Sequence, residues 1–466
     1  MNKNHKPLIN CRHIHFIGIG GIGMSGLAEL MLRYGYQVSG SDIRQTPILE
    51  RLSDLGITIF QNQKPGNIVG ADLIVYSSAI PLDNPERLEA CQKGLLTVTR
   101  ADLLGTLSRN FYAIAVSGSH GKTSTSGMII KILTETGLDP SGVIGGIMKE
   151  TGSNVRFGKG KWMVVEADEY DRSFHTLAPM ATVITSIDAD HMEYYGSQNA
   201  IDEAFVTFSN FIPVDSPLIV CGDDKGISRI SSSLRRRLIT YGLSPKANIS
   251  AQNVVQQGWN ISADVVIRGV PSGQLILPQP GECNLLNALA AIGIADYLKI
   301  PIEQTLLALG QYRGLRRRFE LLGKIRDITI LDDYAHHPVE IEASLQAVSN
   351  SNFQRIFVIF QPHLYSRTKY FARDFGRVFG QAPIYRTFVT KVYPARERDM
   401  KEISGNIIVE ASKEFGSSVE FIEEKEQAIF SILEDLKAGD LVLTLGAGDV
   451  DGIGRQILKL LQDRGV

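Results

Sequence analysis

The sequence contains little cysteine: only four cysteines occur in 466 residues, with no C-x-x-C pair and no disulfide-like spacing. This usage is typical of a reducing compartment. The sequence also has no block of like charges, and its net charge of −2 argues against nucleic acid or an anionic membrane as a partner. No apolar run approaches the roughly 20 residues of a membrane-spanning helix, and the first ten residues lack a signal-peptide core. We therefore expect a cytoplasmic protein with no nucleic-acid partner and no membrane span.

The length and the order of predicted elements indicate three domains. Apolar residues make up 44% and charged residues 21% of the chain, as in ordinary globular proteins. Strands alternate with helices through most of the chain, which predicts an α/β fold. We place a Rossmann-like N-terminal domain at residues 1–108, a central P-loop ATPase-type α/β domain at 109–314 and a Rossmann-like C-terminal α/β domain at 315–466. We expect a monomer or a weak dimer.

The first glycine-rich loop follows the apolar segment HIHFIGIG at residues 13–20. It reads G-I-G-G-I-G over residues 18–23, precedes an amphipathic helical stripe, and is followed nineteen residues later by Asp42 at the end of a second strand. This fingerprint is typical of dinucleotide dehydrogenases. The same turn accepts any pyrophosphate at a helix N-terminus, and Asp42 can hold any ribose hydroxyl. Ser77 lies at the end of a further predicted strand, where open α/β sheets bind ligands.

A second glycine-rich loop lies in FYAIAVSGSHGKTSTSGMII at residues 111–130. A strand leads into the loop, and apolar residues at helical spacing follow it, so the segment has the layout of a phosphate-binding loop. Lys122 can reach terminal phosphates, and the Thr123 hydroxyl can ligate magnesium. Only two residues separate Gly118 from Gly121, which departs from the common G-x-x-x-x-G-K-[ST] pattern. The alternatives are a glycine-rich turn that binds no nucleotide and a non-catalytic ATP-binding regulator.

Acidic residues end the two predicted strands that follow this loop. They are Glu166, Asp168 and Glu169 after the first strand, and Asp188 and Asp190, followed by His191, after the second. An NTPase places its metal ligands at such strand ends. A lone histidine is more often structural, but the position of His191 after two aspartates favours a metal role. Residues 240–280 predict a β-rich excursion, and an alanine-rich helix follows from Asn284. Its asparagines could face a base or ribose, but helix capping by Asn284 is an equal alternative.

The last third of the chain predicts another parallel sheet. The polar segments DDYAHHP, QPHLYSRT, YPARE and GAGD each follow a predicted strand, so they should share the carboxyl-end face of that sheet. The adjacent pair His336 and His337 could suggest a metal. Adjacent side chains usually diverge, however, and Pro338 marks a helix start, so orienting or substrate contacts are favoured over zinc.

In order, the segments FIGIGGIGMSGLAE, GSHGKTS, EADEYDRSF, DADHMEYY, NALAA, RRFE, DDYAHHP, FQPHLYSRT and GAGD closely resemble the Mur ligase family over nearly the whole chain. The resemblance implies an ATP- and Mg²⁺-dependent ligase of peptidoglycan synthesis. GMSGLAE and DDYAHHP favour the activity that joins L-alanine to the carboxylate of UDP-N-acetylmuramate through an acyl phosphate. The first loop would then hold uridine diphosphate, the central domain ATP, and the third domain the amino acid.

The resemblance also implies roles for individual residues. Lys122, His336 and Arg367 would be catalytic, with Arg367 on the amino-acid carboxylate, and Arg367 paired within its own domain is the alternative. Magnesium would be held by Thr123, Glu166 and His191. The nucleotide would be bound by Gly118, Ser119, His120, Gly121, Lys122, Thr123, Ser124, Asn287 and Arg318. The UDP-sugar would be bound by Gly20, Gly21, Ile22, Gly23, Met24, Ser25, Asp42, Ser77 and Arg172.

Several positions depart from the family pattern. Ser119 replaces a threonine, Ser186 an asparagine and Cys283 a histidine. Leu364 stands where an arginine is frequent. Tyr170 and Arg172 alter the usual E-A-D-E-S-D stretch, and our hypothesis is that Arg172 substitutes for the arginine that Leu364 replaces. The rival functions are a sister ligase, either for a recycled tripeptide or of the folylpolyglutamate type, and an NAD-dependent oxidoreductase. The oxidoreductase would leave Lys122, Glu166 and His191 unexplained.

Overall fold

The computed structural model of the chain describes residues 8, 10–395, 397–398, 400, 402–416 and 418–463. Position 396 of the YPARE segment and residues 1–7, which bear on the expected absence of a signal peptide, lie outside the described residues. The chain forms three β-sheets and divides into two compact units. Unit 1 comprises Met1–Asn253, Ala263–Ile276 and Leu286–Arg313, and unit 2 comprises Val254–Ser262, Leu277–Leu285 and Gly314–Val466.

The first sheet is wholly parallel. Its strands are β1 (His13–Ile17), β2 (Gln37–Ser41), β3 (Thr58–Phe60), β4 (Leu73–Tyr76) and β5 (Leu96–Thr99), in the order β3-β2-β1-β4-β5. Its helices are α1 (Ile22–Arg33), α2 (Pro47–Asp54), α3 (Pro85–Gln92) and α4 (Arg100–Ser108). The strand order reverses between β1 and β4, which places a topological switch point at the first glycine loop.

The second sheet contains ten strands. They are β6 (Tyr112–Ser117), β7 (Ser141–Val143), β8 (Val155–Arg156), β9 (Trp162–Glu166), β10 (Ala181–Ile184), β11 (Pro217–Cys221), β12 (Arg237–Gly242), β13 (Ile249–Gln257), β14 (Asn260–Ile267) and β15 (Val270–Leu277). The order is β15-β14-β13-β12-β11-β10-β6-β9-β7-β8. Its helices are α5 (Lys122–Glu135), α6 (Met192–Tyr195), α7 (Gln198–Ser209), α8 (Lys225–Ile230), α9 (Glu282–Tyr297) and α10 (Ile302–Gly310). Because β6 lies in parallel between β9 and β10, the carboxyl ends of these three strands meet.

The third sheet has the order β16-β17-β21-β18-β19-β20. Its strands are β16 (Glu320–Ile325), β17 (Ile328–Asp333), β18 (Ile356–Phe360), β19 (Arg386–Val389), β20 (Val419–Phe421) and β21 (Leu441–Leu445). Its helices are α11 (Pro338–Ser349), α12 (Tyr365–Tyr370), α13 (Ala372–Gln381), α14 (Asn406–Ser412), α15 (Lys425–Asp435) and α16 (Asp451–Asp463). Short 3-10 turns complete the described elements at Pro65–Ile68, Tyr170–Thr176, Ser231–Ser233 and Lys413–Phe415.

The prediction of a purely parallel third sheet is wrong at one edge. Strand β16 runs antiparallel to β17, whereas the other neighbouring strands are parallel. The connection is the two-residue turn Arg326-Asp327, in which both residues have positive φ angles of 49° and 63°. Two-residue turns of this kind join antiparallel strands, because a parallel crossover needs a much longer connection.

Alternating residues of β18 build the two cores of the third sheet. Val358 and Phe360 belong to one hydrophobic cluster, whereas Phe357 and Ile359 belong to the cluster on the other face. A strand that is buried on both faces is typical of a doubly wound sheet. The predicted three-domain α/β fold, with Rossmann-like sheets at either end, is confirmed. Within the described part of the chain, no helix combines the length and the apolarity needed to cross a bilayer.

Candidate functional site: two phosphate-type loops and a histidine–arginine cluster

The first glycine loop connects β1 to α1. The backbone N–H groups of Gly18 and Ile19 donate to the Ser41 carbonyl at 2.8 and 3.0 Å, which anchors the loop on β2. Gly20 N–H donates to Asp42 Oδ2 at 2.9 Å, and a Cβ on Gly20 would lie only 2.8 Å from the same oxygen. A side chain at position 20 would therefore displace the Asp42 carboxylate from the loop. The predicted proximity of the loop and the distal acid is present.

Helix α1 begins at Ile22, and no side chain caps its first turn. The exposed first-turn N–H groups and the helix dipole therefore face the loop and suit an oxyanion. Met24 is buried, and Ser25 Oγ donates to the Ile22 carbonyl at 3.0 Å. Ser77 lies across the loop, since a Cβ on Gly18 would be 3.8 Å from the Ser77 Cβ. The structure thus brings the predicted substrate residues of the first domain together.

The second glycine loop connects β6 to α5, which begins at Lys122. Gly118 and Gly121 have φ angles of +131° and +79°, and a Cβ on Gly118 would lie 2.1 Å from Thr185 Oγ1. Hydrogen bonds tie the loop to the segment after β10: His120 N–H donates to Ser186 Oγ at 3.1 Å, and Asp188 N–H donates to Ser119 Oγ at 2.8 Å. Ser119 and Ser186, the two serines that differ from the family pattern, therefore hold the loop through their hydroxyl groups.

Lys122 forms an ion pair with Glu169, which the sequence analysis did not predict. Its Nζ lies 2.8 Å from both carboxylate oxygens of Glu169 and donates to the Gly118 carbonyl at 2.6 Å. Burial alone would lower the pKa of Lys122, but Glu169, Asp168 and Glu166 outweigh burial and raise it. Burial likewise raises the pKa of Glu169, against the pull of Lys122. The sequence offered one signal for this pair, namely that both residues follow neighbouring strands.

Two groups of potential metal ligands lie beside the second loop. Thr123 Oγ1 lies 3.2 Å from Glu166 Oε1, and the other Glu166 oxygen accepts from Gly145 N–H at 2.7 Å. Adjacent ligands of an octahedral Mg²⁺ at 2.0–2.1 Å lie about 3 Å apart, so this oxygen pair fits the ion.

The second group joins His191 to Asp168 and Glu169, whose ligand atoms lie within 4.8 Å of one another. Among the described residues, the buried Nδ1 of His191 makes no hydrogen bond. Burial lowers the pKa of His191, but Glu193, Asp190 and Glu169 outweigh that effect and raise it. The ring centre of Tyr170, which also differs from the family pattern, lies 5.0 Å from the ring centre of His191. A single ligand set of Thr123, Glu166 and His191 therefore stays a prediction.

Helix α9 carries Asn287 to the second loop. Thr125 Oγ1 donates to Asn287 Oδ1 at 3.1 Å, and a Cβ on Gly121 would lie 2.4 Å from the same oxygen. The alternative that Asn284 caps the helix is wrong: α9 begins two residues earlier, and Asn284 Nδ2 donates to the Pro280 carbonyl at 2.7 Å. Arg172 lies in a turn with φ +52°, where its N–H donates to the Glu169 carbonyl at 3.0 Å and its guanidinium lies 6.0 Å from the Tyr195 ring.

In unit 2, three of the polar side chains form one histidine–arginine cluster. The rings of His336 and His363 lie 5.5 Å apart, and Arg367 Nη1 lies 3.3 Å from His363 Nδ1. The His336 Nδ1 atom lies 2.9 Å from the Tyr334 carbonyl and 3.3 Å from Glu340 Oε2, and both oxygens accept. Nδ1 is therefore the donor, and in the neutral ring Nε2 is the basic nitrogen. The sequence analysis did not single out His363, although it directly precedes Leu364, which differs from the family pattern. His337 caps α11 in a capping box with Glu340, and the preference for an orienting role over zinc stays a prediction.

Arg318, Leu364 and Cys283 were also singled out from the sequence, and all three belong to unit 2. The Arg318 guanidinium lies 5.1 Å from the Tyr334 ring centre and 4.0 Å from Glu340. Leu364 is buried at φ +69°, a backbone conformation that leucine rarely adopts. Its N–H donates to the Tyr393 carbonyl at 2.9 Å. Cys283 is the second residue of α9.

Sequence comparisons agree with this architecture. Three family profiles match: "Mur ligase family, catalytic domain" at residues 13–112, "Mur ligase middle domain" at 116–295 and "Mur ligase, glutamate ligase domain" at 317–448. The UDP-N-acetylmuramate–L-alanine ligase of Myxococcus xanthus is 39% identical over 99% of this chain and 98% of its own length. The enzyme of the same name from Desulfotalea psychrophila is 42% identical, over 96% and 98%.

Structural comparison gives the same result. The crystal structure of UDP-N-acetylmuramate–alanine ligase from Thermotoga maritima superposes with a TM-score of 0.83 at 30% identity, covering 97% of this chain and 99% of that one. A murein peptide ligase from Psychrobacter arcticus shares the fold, with a TM-score of 0.72 at 22% identity over 97% and 98%. Full-length agreement in sequence and structure confirms the resemblance that the motifs indicated. The chain belongs to the Mur ligase family.

Proposed function

We propose that this chain is an ATP-dependent ligase that joins L-alanine to the lactoyl carboxylate of UDP-N-acetylmuramate in peptidoglycan synthesis, releasing ADP and phosphate. The observation that carries this proposal is the second loop, where Lys122 and the Thr123–Glu166 pair lie beside one another at the ends of β6 and β9. A lysine and a metal-competent oxygen pair serve phosphoryl transfer, not hydride transfer. The names of the relatives, which match over the whole chain, support the same substrates.

The first loop is assigned to the uridine diphosphate of the sugar substrate. The N–H groups of Ile22, Gly23 and Met24 in the uncapped first turn of α1 suit a diphosphate. Gly20, Gly21 and Ser25 are assigned to the substrate on the family pattern, since their own N–H groups donate to Asp42, Gly18 and Gly21. Asp42 would accept from ribose hydroxyls, and Ser77, directly after β4, would contact the ligand. Arg172 is retained as a substrate contact on the family pattern.

In the second domain, Lys122 would contact the γ-phosphate of ATP. Since Glu169 brackets the ammonium group with both oxygens, the incoming phosphate must share Lys122 with Glu169 or replace it. Loop N–H groups at residues 118–124, together with Asn287, would hold the remaining phosphates and the nucleoside, and Arg318 is assigned to ATP on the family pattern. Magnesium, held by Thr123, Glu166 and His191, would neutralise charge on the transferred phosphoryl group.

A free carboxylate is a poor electrophile, because its negative charge repels a nucleophile and an oxide leaves with difficulty. Transfer of the γ-phosphoryl group to the sugar carboxylate removes both obstacles. The amine of L-alanine then attacks the acyl phosphate through a tetrahedral intermediate, and phosphate leaves. His336, with its basic Nε2, is the candidate proton acceptor for this amine. Arg367 would bind the amino-acid carboxylate through a paired hydrogen bond that lysine would reproduce poorly.

Phosphate release from ATP, measured with matched nucleotide-sugars and amino acids, tests this function. We expect release that requires both UDP-N-acetylmuramate and L-alanine, and much less with glycine, D-alanine or a tripeptide. Preference for the tripeptide would indicate the sister ligase, and tight NAD binding without a response to UDP-sugars would overturn the proposal. Because ATP and UDP-sugars are cytoplasmic metabolites, we place the reaction in the cytoplasm.

A further inference from the structure

Arg100 lies between the first glycine loop and the carboxylates of the central domain. A Cβ on Gly23 would lie 3.1 Å from Arg100 Cδ and 3.3 Å from Nη1, so the side chain packs directly against the third glycine of the loop. Its Nη2 lies 3.9 Å from Asp168 Oδ2, which is too far for a hydrogen bond. The same residue lines a small cavity with Glu166 and Asp168.

The N–H donors of the Arg100 guanidinium are available to a ligand. The guanidinium makes no hydrogen bond to another residue that the structure describes, although three-quarters of the side chain is withdrawn from solvent. Two other arginines of unit 1 give the contrast, because their guanidinium groups are engaged: Arg51 donates to Glu29 at 2.7 Å and Arg229 to Asp202 at 2.5 Å. Five N–H donors held beside a glycine loop without an acceptor fit an anionic ligand.

The position of Arg100 in its helix points the same way. It is the first residue of α4, where the positive end of the helix dipole disfavours a cation. The capping box of this helix is made by Thr99 and Asp102 and does not use Arg100. The stability of the helix therefore gives no reason for a cation at this position.

The first loop lacks such a charge of its own. Residues 18–25 contain no lysine, arginine or histidine, and the one ionised side chain bonded to the loop is the carboxylate of Asp42, among the described residues. A diphosphate bound there would meet this negative charge with only backbone N–H groups to balance it. Arg100 is the cation that packs against the opposite end of the loop.

We propose that Arg100 binds the diphosphate of the UDP-sugar, as the positive charge that the first glycine loop does not carry itself. This assignment rests on the proposed function, because it requires a UDP-linked substrate in that loop. The guanidinium fork would make a bidentate, charge-assisted contact to phosphate oxygens. Asp168 would then orient the fork from the central domain without binding it tightly.

Calorimetric titration of wild type, Arg100→Gln and Arg100→Lys with UDP and with uridine separates this role from a structural one. We expect Arg100→Gln to weaken UDP binding on the order of ten- to a hundredfold while uridine binding stays the same. Arg100→Lys should lie between the two, since it keeps the charge and loses the fork. Arg109→Gln is the matched control, because Arg109 caps the other end of the same helix and its guanidinium donates to the Thr176 carbonyl at 3.0 Å.

Equal loss of UDP and uridine affinity in Arg100→Gln would overturn the proposal, because it would indicate a disturbed fold. A loss seen with UDP-N-acetylmuramate but not with UDP or UDP-N-acetylglucosamine would also overturn it, since the lactoyl carboxylate would then be the ligand of Arg100. If the wild type itself bound neither UDP nor its sugars, the proposed function would fail first, and that outcome is read directly from the unmodified protein.

Discussion

The two glycine-rich loops occupy equivalent places, each between the first strand of its sheet and a long helix, but they differ in backbone and in charge. The residue that precedes α1 is Gly21, with ordinary extended angles of −66° and 141°, whereas Gly121 precedes α5 with left-handed angles of 79° and −5°. The second loop leads into Lys122 and Thr123 and lies beside the carboxylates of Glu166, Asp168 and Glu169. The first carries no cation and a single carboxylate partner, Asp42.

This difference indicates how the two sites divide the work. A loop of backbone N–H groups can hold a diphosphate that remains unchanged through a reaction. A phosphoryl group in transfer develops charge that must be stabilised by a fixed cation and a metal. On this account the first loop binds the substrate that is carried through, and the second loop performs the transfer.

Replacing the lysine should have the largest effect on this comparison. Lys122→Ala removes the cation of the second loop, so kcat should fall about 10²- to 10³-fold, in the range found for loss of one transition-state donor. Affinity for UDP should remain unchanged. Steady-state kinetics and UDP titration on the same preparation test both statements, and an equal loss at both loops would remove the distinction between them.

Removing one carboxylate should have the next largest effect, because it weakens the metal site. Glu166→Gln keeps the size of the side chain but loses its charge, so we expect turnover to fall about a hundredfold. The Mg²⁺ concentration for half-maximal activity should rise. Near-normal turnover of this variant at ordinary magnesium concentrations would contradict the ligand assignment, and UDP binding in the presence of a chelator serves as the control.

Glu169→Gln should lower the free energy of unfolding and so test the role of the Lys122–Glu169 pair in the second loop. Removing one partner of a buried ion pair leaves the other charge unpaired, which typically costs about 3–5 kcal/mol of unfolding free energy. Since Lys122 is then available to phosphate, ATP should stabilise this variant more than it stabilises the wild type. Thermal unfolding with and without ATP measures both changes. A variant that was destabilised and gained no more from ATP than the wild type would show that the pair is purely structural.

A matched pair of glycine substitutions should have the smallest effect. Gly121→Ala places a β-carbon 2.4 Å from Asn287 Oδ1 in a left-handed conformation, whose cost for a non-glycine residue is about 1–2 kcal/mol. Gly21→Ala meets nothing closer than 3.6 Å and has a φ of −66°. Chemical unfolding should therefore show a loss for the first variant and little change for the second. Similar losses would mean that the two loops do not differ in backbone strain.

Sequence motifs and the alternation of apolar segments predicted much of the fold and of the two glycine-rich loops. Both loops, the three sheets and the proximity of Asp42 to Gly20 follow from strand–glycine–helix patterns, because a parallel sheet gathers the carboxyl ends of its strands. The motifs also led to the correct family. The antiparallel edge at β16 was missed, because the hairpin depends on positive φ angles at Arg326 and Asp327, neither of which is glycine.

Pairings between side chains were harder to predict. The sequence suggested that Glu169 was one of several acids near a metal, but its partner is Lys122, 47 residues away in the chain. Arg100 lies in none of the quoted motifs, and His363 lies in the QPHLYSRT segment but was not singled out. Their proximity to Gly23 and His336 depends on how α4 and the β18–α12 loop are packed. For Asn284, contact with a base or ribose and capping of α9 were equal alternatives. The start of the helix at Glu282 excludes capping.

The central claim is that ATP activates the sugar carboxylate as an acyl phosphate before the amine attacks. It is tested most directly by labelling the lactoyl carboxylate of UDP-N-acetylmuramate with oxygen-18 and running one turnover with ATP and L-alanine. Mass spectrometry of the products should find one labelled oxygen in the released inorganic phosphate. Label absent from phosphate, or label recovered in AMP, would contradict the mechanism.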